Sequence, residues 1–271
     1  MTTGILIVIL VFAGLFGLVI GSFLNVVIAR VPAGAPLTRE SRCPTCDEPI
    51  RPWQNIPVVS WIALRGRCAN CRERISARYP LVELATAVAF VAVSWFLLAT
   101  SAVAVAIIPV IVAYLYLAAI SIALSLIDLD THRLPNSIVL PAYPVLLVLF
   151  GIAVLLGAEP WALGRAAIGG AAMFAFYVLL RLIRPAGMGG GDVKLAGVLG
   201  LALAWLGWGP LIVGAFAAFL LGGIFGVALV IARRASGKSA IPFGPWMLAG
   251  AWVGIFSGEA IARWYLGFLA A

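Results

Sequence analysis

Charge is what this chain has least of. Only 10% of its 271 residues are charged and 64% are hydrophobic, whereas a soluble globular protein averages about 25% charged. That shortage excludes a water-soluble domain and leaves an all-α, polytopic membrane protein. The first apolar run, 4–29, has no basic segment before it and is longer than a signal-peptide core of about 7–15 residues. It reads as a retained first span. Histidine occurs once, at His132, and suits an interfacial polar residue better than a ligand or base. No long repeat and no low-complexity tract stands out. The one sizeable polar segment, 31–79, is too short for a Rossmann domain and has no G-x-G-x-x-G fingerprint.

What is present is a series of eight apolar segments, approximately 4–29, 80–99, 103–127, 138–157, 161–183, 193–208, 211–232 and 243–269. If each crosses the membrane, the connections alternate sides. Sixteen of the 18 basic residues then fall on one side, and Arg165 and Arg263 on the other. The positive-inside rule makes the rich side cytoplasmic, with both termini outside. The net charge of +8 is thereby assigned to anionic membrane lipid, with no nucleic-acid partner. Three parts follow: a first transmembrane helix (1–30), a cytoplasmic loop (31–79) and a seven-helix membrane core (80–271).

Two acids stand out against this background. Asp192 follows Gly187–Met188–Gly189–Gly190–Gly191 and precedes Val193–Lys194. Asp128 lies 64 residues upstream, an interval filled by two crossings of about 20–23 residues plus short connections. The spacing returns both acids to one face of the membrane. An acid at a membrane edge is costly to desolvate and marks function by default, and the glycines allow another backbone to approach it. Two carboxylates at one rim suggest an aspartyl-type hydrolase, in which one takes a proton from water and the other polarises the carbonyl. The helix dipole favours an anion at the amino end of a span and disfavours one at the carboxyl end. On that argument Asp192 is the resting base and Asp128 the acid.

The neighbours divide into sharper and blander readings. Asp130, two residues from Asp128 on another helical face, is a supporting residue or a helix-end polar group. Lys194 can hold a substrate carbonyl, but snorkelling to lipid headgroups explains it more simply. Asn25, inside the first apolar run, should find partners among other helices, for packing or for function. Gly164–Gly169–Gly170 and Gly222–Gly223–Gly226 read as helix-packing surfaces. The basic stretch 233–242 reads as a mobile loop, and Ile241–Pro242–Phe243–Gly244–Pro245 as a stiff entry to the last span.

All four cysteines lie in the polar loop, as Cys43-x-x-Cys46 and Cys68-x-x-Cys71 with 21 residues between the pairs. The pattern reads as a four-thiolate structural zinc site. A segment of about fifty residues cannot bury enough core alone, and a metal supplies folding energy. Two disulfides are the alternative, disfavoured on a reducing face.

In this order and spacing, these residues resemble the bacterial type IV prepilin leader peptidases, membrane aspartyl proteases with a Gly-x-Gly-Asp motif. The marks are Gly21–Ser22–Phe23–Leu24–Asn25, the two cysteine pairs, Ile75–Ser76–Ala77–Arg78–Tyr79–Pro80 with Glu83, Asp128 with Leu134–Pro135–Asn136, and Gly189–Gly190–Gly191–Asp192–Val193–Lys194–Leu195. The resemblance implies cleavage of the basic leader of prepilins and pseudopilins at the cytoplasmic face. Asp128 and Asp192 are then the catalytic pair, with Gly189 and Gly191 as supporting residues. It also implies N-methylation of the new amino terminus from S-adenosylmethionine. Members often carry glycine–lysine before the third cysteine, where this chain has Gly66–Arg67. The charge is kept and the geometry is not. The reading set against this one is a proton- or cation-coupled transporter using the same acids.

Overall fold

The structure is a computed structural model and describes residues 3–100, 105–184, 188–232 and 242–270. Gly187, residues 101–104 and the basic stretch 233–241 lie outside the described residues. Eight long helices appear among those described: α1 (Thr3–Arg30), α3 (Arg78–Thr100), α4 (Ile107–Thr131), α5 (Asn136–Leu155), α6 (Pro160–Ile183), α7 (Gly190–Leu206), α8 (Trp208–Ile231) and α9 (Gly244–Leu269). A single 3-10 turn, Pro52–Asn55, and the short α2 (Val59–Ala63) sit in the polar loop. Six helices, α1, α3 to α6 and α8, are long and apolar enough to cross a membrane. The other two expected spans are also helical, and α7, at 17 residues, is about 25 Å long, short of a hydrocarbon core of about 30 Å.

The chain divides into two compact units, Met1–Ser101 with Leu115–Ala123, and Ala102–Tyr114 with Leu124–Ala271. In the first, α1 packs along α3. Small residues make this possible: a Cβ on Gly17 would lie 2.6 Å from the Ala87 Cα, and one on Gly21 2.6 Å from the Glu83 Cα. Asn25 donates its amide to the Tyr79 carbonyl at 3.1 Å. The polar residue in the first apolar run therefore joins α1 to the start of α3.

The second unit is built around α7, which is packed by α5, α6, α8 and α9. Thirteen of its 17 residues are buried, which explains why it is apolar on every face. Gly169, Gly170 and Gly200 let the backbones of α6 and α7 meet, and a Cβ on Gly170 would stand 2.7 Å from Leu201. Gly222 faces Phe243, whereas a Cβ on Gly223 would meet nothing within 4 Å. The packing reading therefore holds for Gly222 and fails for Gly223.

Arg165 caps the far end of α7. Its guanidinium donates from Nε to the Ala204 carbonyl and from Nη2 to the Trp205 carbonyl, both at 2.6 Å. Arg165 thus lies at the end of α7 opposite Asp192, as the sorting of basic residues by side requires within this unit.

Candidate functional site

Asp192 occupies the first turn of α7 and is buried. Its Oδ2 accepts the Gly189 amide at 2.9 Å, closing the start of the helix on itself. The three glycines before it face three different neighbours. A Cβ on Gly189 would come 3.1 Å from the Asp192 carboxylate, one on Gly190 2.7 Å from the Arg181 guanidinium, and one on Gly191 2.8 Å from the Leu134 Cβ. The run is glycine because a carboxylate, a cation and a leucine already fill the space around it.

Asp128 lies in the last turn of α4 and is 4% exposed. The helix ends on His132, an exposed residue in the left-handed conformation (φ 54°) whose amide donates to the Asp128 carbonyl. The following Leu134 touches the backbone beside each acid. It lies against Gly191 and also against Gly244, where a Cβ would be 3.2 Å from its Cδ2 and 2.7 Å from the Asp128 Oδ2. Two buried carboxylates therefore share one end of the second unit, with Leu134 against the backbone that holds each.

One premise of the sequence reading changes. Asp128 closes the carboxyl end of α4, but its Oδ2 accepts the Gly244 amide at 3.1 Å, in the first turn of α9. Both carboxylates therefore face helix amino termini, and the dipole no longer separates an acid from a base.

Lys194 is placed differently from the snorkelling expectation. Its ammonium donates to the Asn136 Oδ1 at 2.9 Å, and the Tyr143 hydroxyl donates to its backbone carbonyl at 2.6 Å. Leu134 and Asn136 together clamp the segment after α4 onto the start of α7. Asp130 is exposed, on a different face of α4 from the buried Asp128.

Sequence reasoning placed Gly244 only in a stiff entry to the last span and gave no site role to Arg181 or Tyr177. Tyr177 is fully buried, and its hydroxyl has no hydrogen-bond partner among the described residues. It sits in the apolar run Phe174–Ala175–Phe176–Tyr177, where only its position four residues before Arg181 hints at the site.

The first unit holds the four cysteines. Their sulfurs lie within 4.8 Å of one another, and none is in a disulfide. Cys43 Sγ and Cys71 Sγ are 3.8 Å apart, the separation that a tetrahedral ion with metal–sulfur bonds of about 2.3 Å imposes. The two turns are near copies, a repeat too short to count among long repeats. Arg42–Cys43–Pro44–Thr45–Cys46–Asp47–Glu48–Pro49–Ile50 matches Arg67–Cys68–Ala69–Asn70–Cys71–Arg72–Glu73–Arg74–Ile75 in the pattern R-C-x-x-C-x-E-x-I. The amides of Cys43 and Cys68 donate to Glu48 and Glu73, and those of Ile50 and Ile75 to Ser41 and Gly66. Asp47 (φ 55°) and Arg72 (φ 61°) both turn left-handed just after the second cysteine of the pair. Amides of Cys46 and Thr45 hold the Cys43 thiol down to about 6. The Glu73 amide pulls the same way at Cys71, but the neighbouring sulfurs outweigh it and push that thiol up to about 12. Such a cluster takes on further negative charge readily only with a cation at its centre, and it can hold a metal ion.

Glu83, also in the first unit, is 7% exposed and ties the loop to α3. It accepts the Val58 amide at 2.7 Å and a bond from the Ser22 side chain. Val58 is held at φ 61°, ψ −47°, with the Val59 amide on the Pro57 carbonyl at 2.6 Å. That is the strained form of γ-turn, unusual for a β-branched residue.

Comparison with known proteins agrees with this geometry. Residues 15–97 match the Bacterial Peptidase A24 N-terminal domain, and residues 115–227 the Type IV leader peptidase family. A prepilin leader peptidase/N-methyltransferase of Stutzerimonas stutzeri is 36% identical, over 93% of this chain and 92% of its own. Proteins of the same name from Pseudomonas putida and Pseudomonas aeruginosa are each 37% identical, over 92% and 94% of this chain and 91% and 92% of theirs. No solved structure matches. With relatives this similar over nearly its whole length, the chain belongs to the type IV leader peptidase family.

Proposed function

We propose that this protein cleaves the leader peptide of prepilin-type substrates with Asp128 and Asp192 as its catalytic pair, and that it N-methylates the product. The observation that carries the reading is the placement of two buried carboxylates at one end of the second unit, each held by a backbone amide. Two carboxylates brought together at a single site would share a proton, so the pair would titrate as a unit rather than as two separate acids. The ionised partner takes a proton from water as the water attacks the scissile carbonyl. The protonated partner donates to the carbonyl oxygen, and later a proton passes to the leaving nitrogen. Gly189 and Gly191 keep side chains out of the approach to Asp192. Lys194 and Asn136 fix the segment that carries Leu134. Asp130, exposed on another face of α4 from Asp128, would serve as a supporting residue rather than a member of the catalytic pair.

Orientation follows from charge. The basic excess places the loop and both acids on the cytoplasmic side of the inner membrane, where substrates present a basic leader and anionic lipid balances the charge. The 31–79 loop is the metal-organised part of the chain and 80–271 the protease core, with 1–30 as the first helix. Zinc is the ion that four thiolates in a tetrahedral set suit, and Cys43, Cys46, Cys68 and Cys71 would hold it as a structural link between the two turns. The methyl group comes from S-adenosylmethionine in the family reading. The first unit has no βαβ cradle for that cofactor among its described residues, and the assignment rests on the relatives' printed name. The transporter reading gains no support from these relatives.

The test uses purified protein in detergent and a peptide with a basic leader, a glycine and a following apolar helix. Wild type should cut it after the glycine, and Asp128→Asn and Asp192→Asn should each abolish the cut. An intact peptide with wild type would overturn the reading.

A further inference from the structure

Tyr177 lies on α6 beside the start of α7 without a stated task. It is one helical turn before Arg181, and Arg181 crosses onto Gly190 at the start of α7. Tyr177 is therefore level with the first turn of α7, where Asp192 stands. Its ring packs 5.7 Å from that of Phe219 and 6.5 Å from that of Phe243. Phe243 immediately precedes Gly244, whose amide holds Asp128. The phenol thus sits between the element carrying Asp192 and the element that positions Asp128. It is 0% exposed and its oxygen has no partner among the described residues. A buried hydroxyl left unpaired is costly, and a phenylalanine would fill the same space without that cost.

We propose that the Tyr177 hydroxyl is a third catalytic group of this site, one whose partner is the reacting carbonyl. Resting on the peptidase reading, it supplies what a carboxylate pair sharing one proton lacks, a neutral donor that is never consumed. As water adds to the scissile carbonyl, the oxygen gains negative charge, and the O–H of Tyr177 donates to it. The proton stays on the phenol throughout. A donor aimed where charge develops strengthens in the transition state and contributes little to ground-state binding.

The experiment is Tyr177→Phe in the full-length protein, with wild type, Asp128→Asn and Asp192→Asn alongside. kcat should fall on the order of 100-fold with KM unchanged. The melting temperature should equal or exceed that of wild type, because the lost hydroxyl had no partner. A substrate-derived peptide with a tetrahedral hydroxyl-bearing group at the scissile position should bind Tyr177→Phe more weakly by a similar factor. The uncut substrate peptide, measured on the Asp192→Asn background, should bind with or without the Tyr177 hydroxyl equally well. Wild-type kcat in Tyr177→Phe would overturn the inference while leaving the aspartate pair in place. So would a variant that melts lower or fails to fold, since that reveals a structural partner for the hydroxyl. Cleavage that survives in the aspartate variants would instead remove the peptidase reading itself.

Discussion

Gly189 and Gly191 flank the same carboxylate but face different neighbours, and alanine at each separates two requirements of the site. A Cβ at position 191 would meet the Leu134 Cβ at 2.8 Å. Leu134 must then move, and it also lies against Gly244, whose amide holds Asp128. Gly191→Ala should cost about 1–3 kcal/mol of stability, and cleavage should fall on the order of 100-fold because misplacement near 1 Å is that damaging. At position 189 the Cβ would stand 3.1 Å from the Asp192 carboxylate, and the amide that holds the acid is kept. Gly189→Ala should therefore lose less activity than Gly191→Ala, as initial rates on the peptide substrate will show. The reverse order would mean that the Leu134 contact does not govern the pair. At this scale Asp128 and Asp192 are legible in the sequence, because a lone carboxylate beside apolar runs is conspicuous. The contacts made by Leu134 and Gly244, and the place of Tyr177, are not. All three are ordinary membrane residues whose importance comes from contacts across tens of positions in the chain. The dipole argument failed for the same reason: the amide that meets Asp128 belongs to a helix that begins 116 residues later.

Among the elements, α7 carries the site and is held at both ends. Asp192 and the Gly189 amide close its start, and the Arg165 guanidinium takes two of its last carbonyls. Hydrogen bonds to a charged group contribute about 1.5–3 kcal/mol each, and Arg165 is half-buried, so the lower part of that range applies. Arg165→Leu should lower stability by roughly 2–4 kcal/mol in thermal or denaturant unfolding, with cleavage per folded molecule little changed. Arg165→Lys should recover only part of the loss, because one ammonium cannot reach two carbonyls as the planar fork does. Full recovery would show that charge alone suffices. In the loop, the paired cysteine turns predict one metal ion per chain. Chelation should release it and raise hydrogen exchange across 41–50 and 66–75 together, since each turn supplies two of the four sulfurs. Acid should do the same as protons compete for the thiolates. Exchange that rises in one turn only would contradict a shared ion. The helices were legible here from apolar length. The likeness of the two turns was legible as well, but a match of nine residues falls below the scale of a structural repeat.

For the whole molecule, charge distribution underlies the proposed orientation. Within the second unit, Arg181 and Lys194 gather at the aspartate end and Arg165 at the other, as alternating crossings require. After chelation, a membrane-impermeant thiol reagent should label the exposed Cys71 in inside-out vesicles and not in right-side-out ones. Labelling from the outer face would reverse the proposed topology. The central claim is that Asp128 and Asp192 act as one device, and groups that act as a unit are grossly non-additive. The most direct measurement compares cleavage rates of Asp128→Asn, Asp192→Asn and the double variant on the same prepilin-like peptide. If the pair is one device, all three fall to the same background. A single variant that keeps measurable turnover, with the double lower by the product of the two losses, would show two independent acids and contradict it.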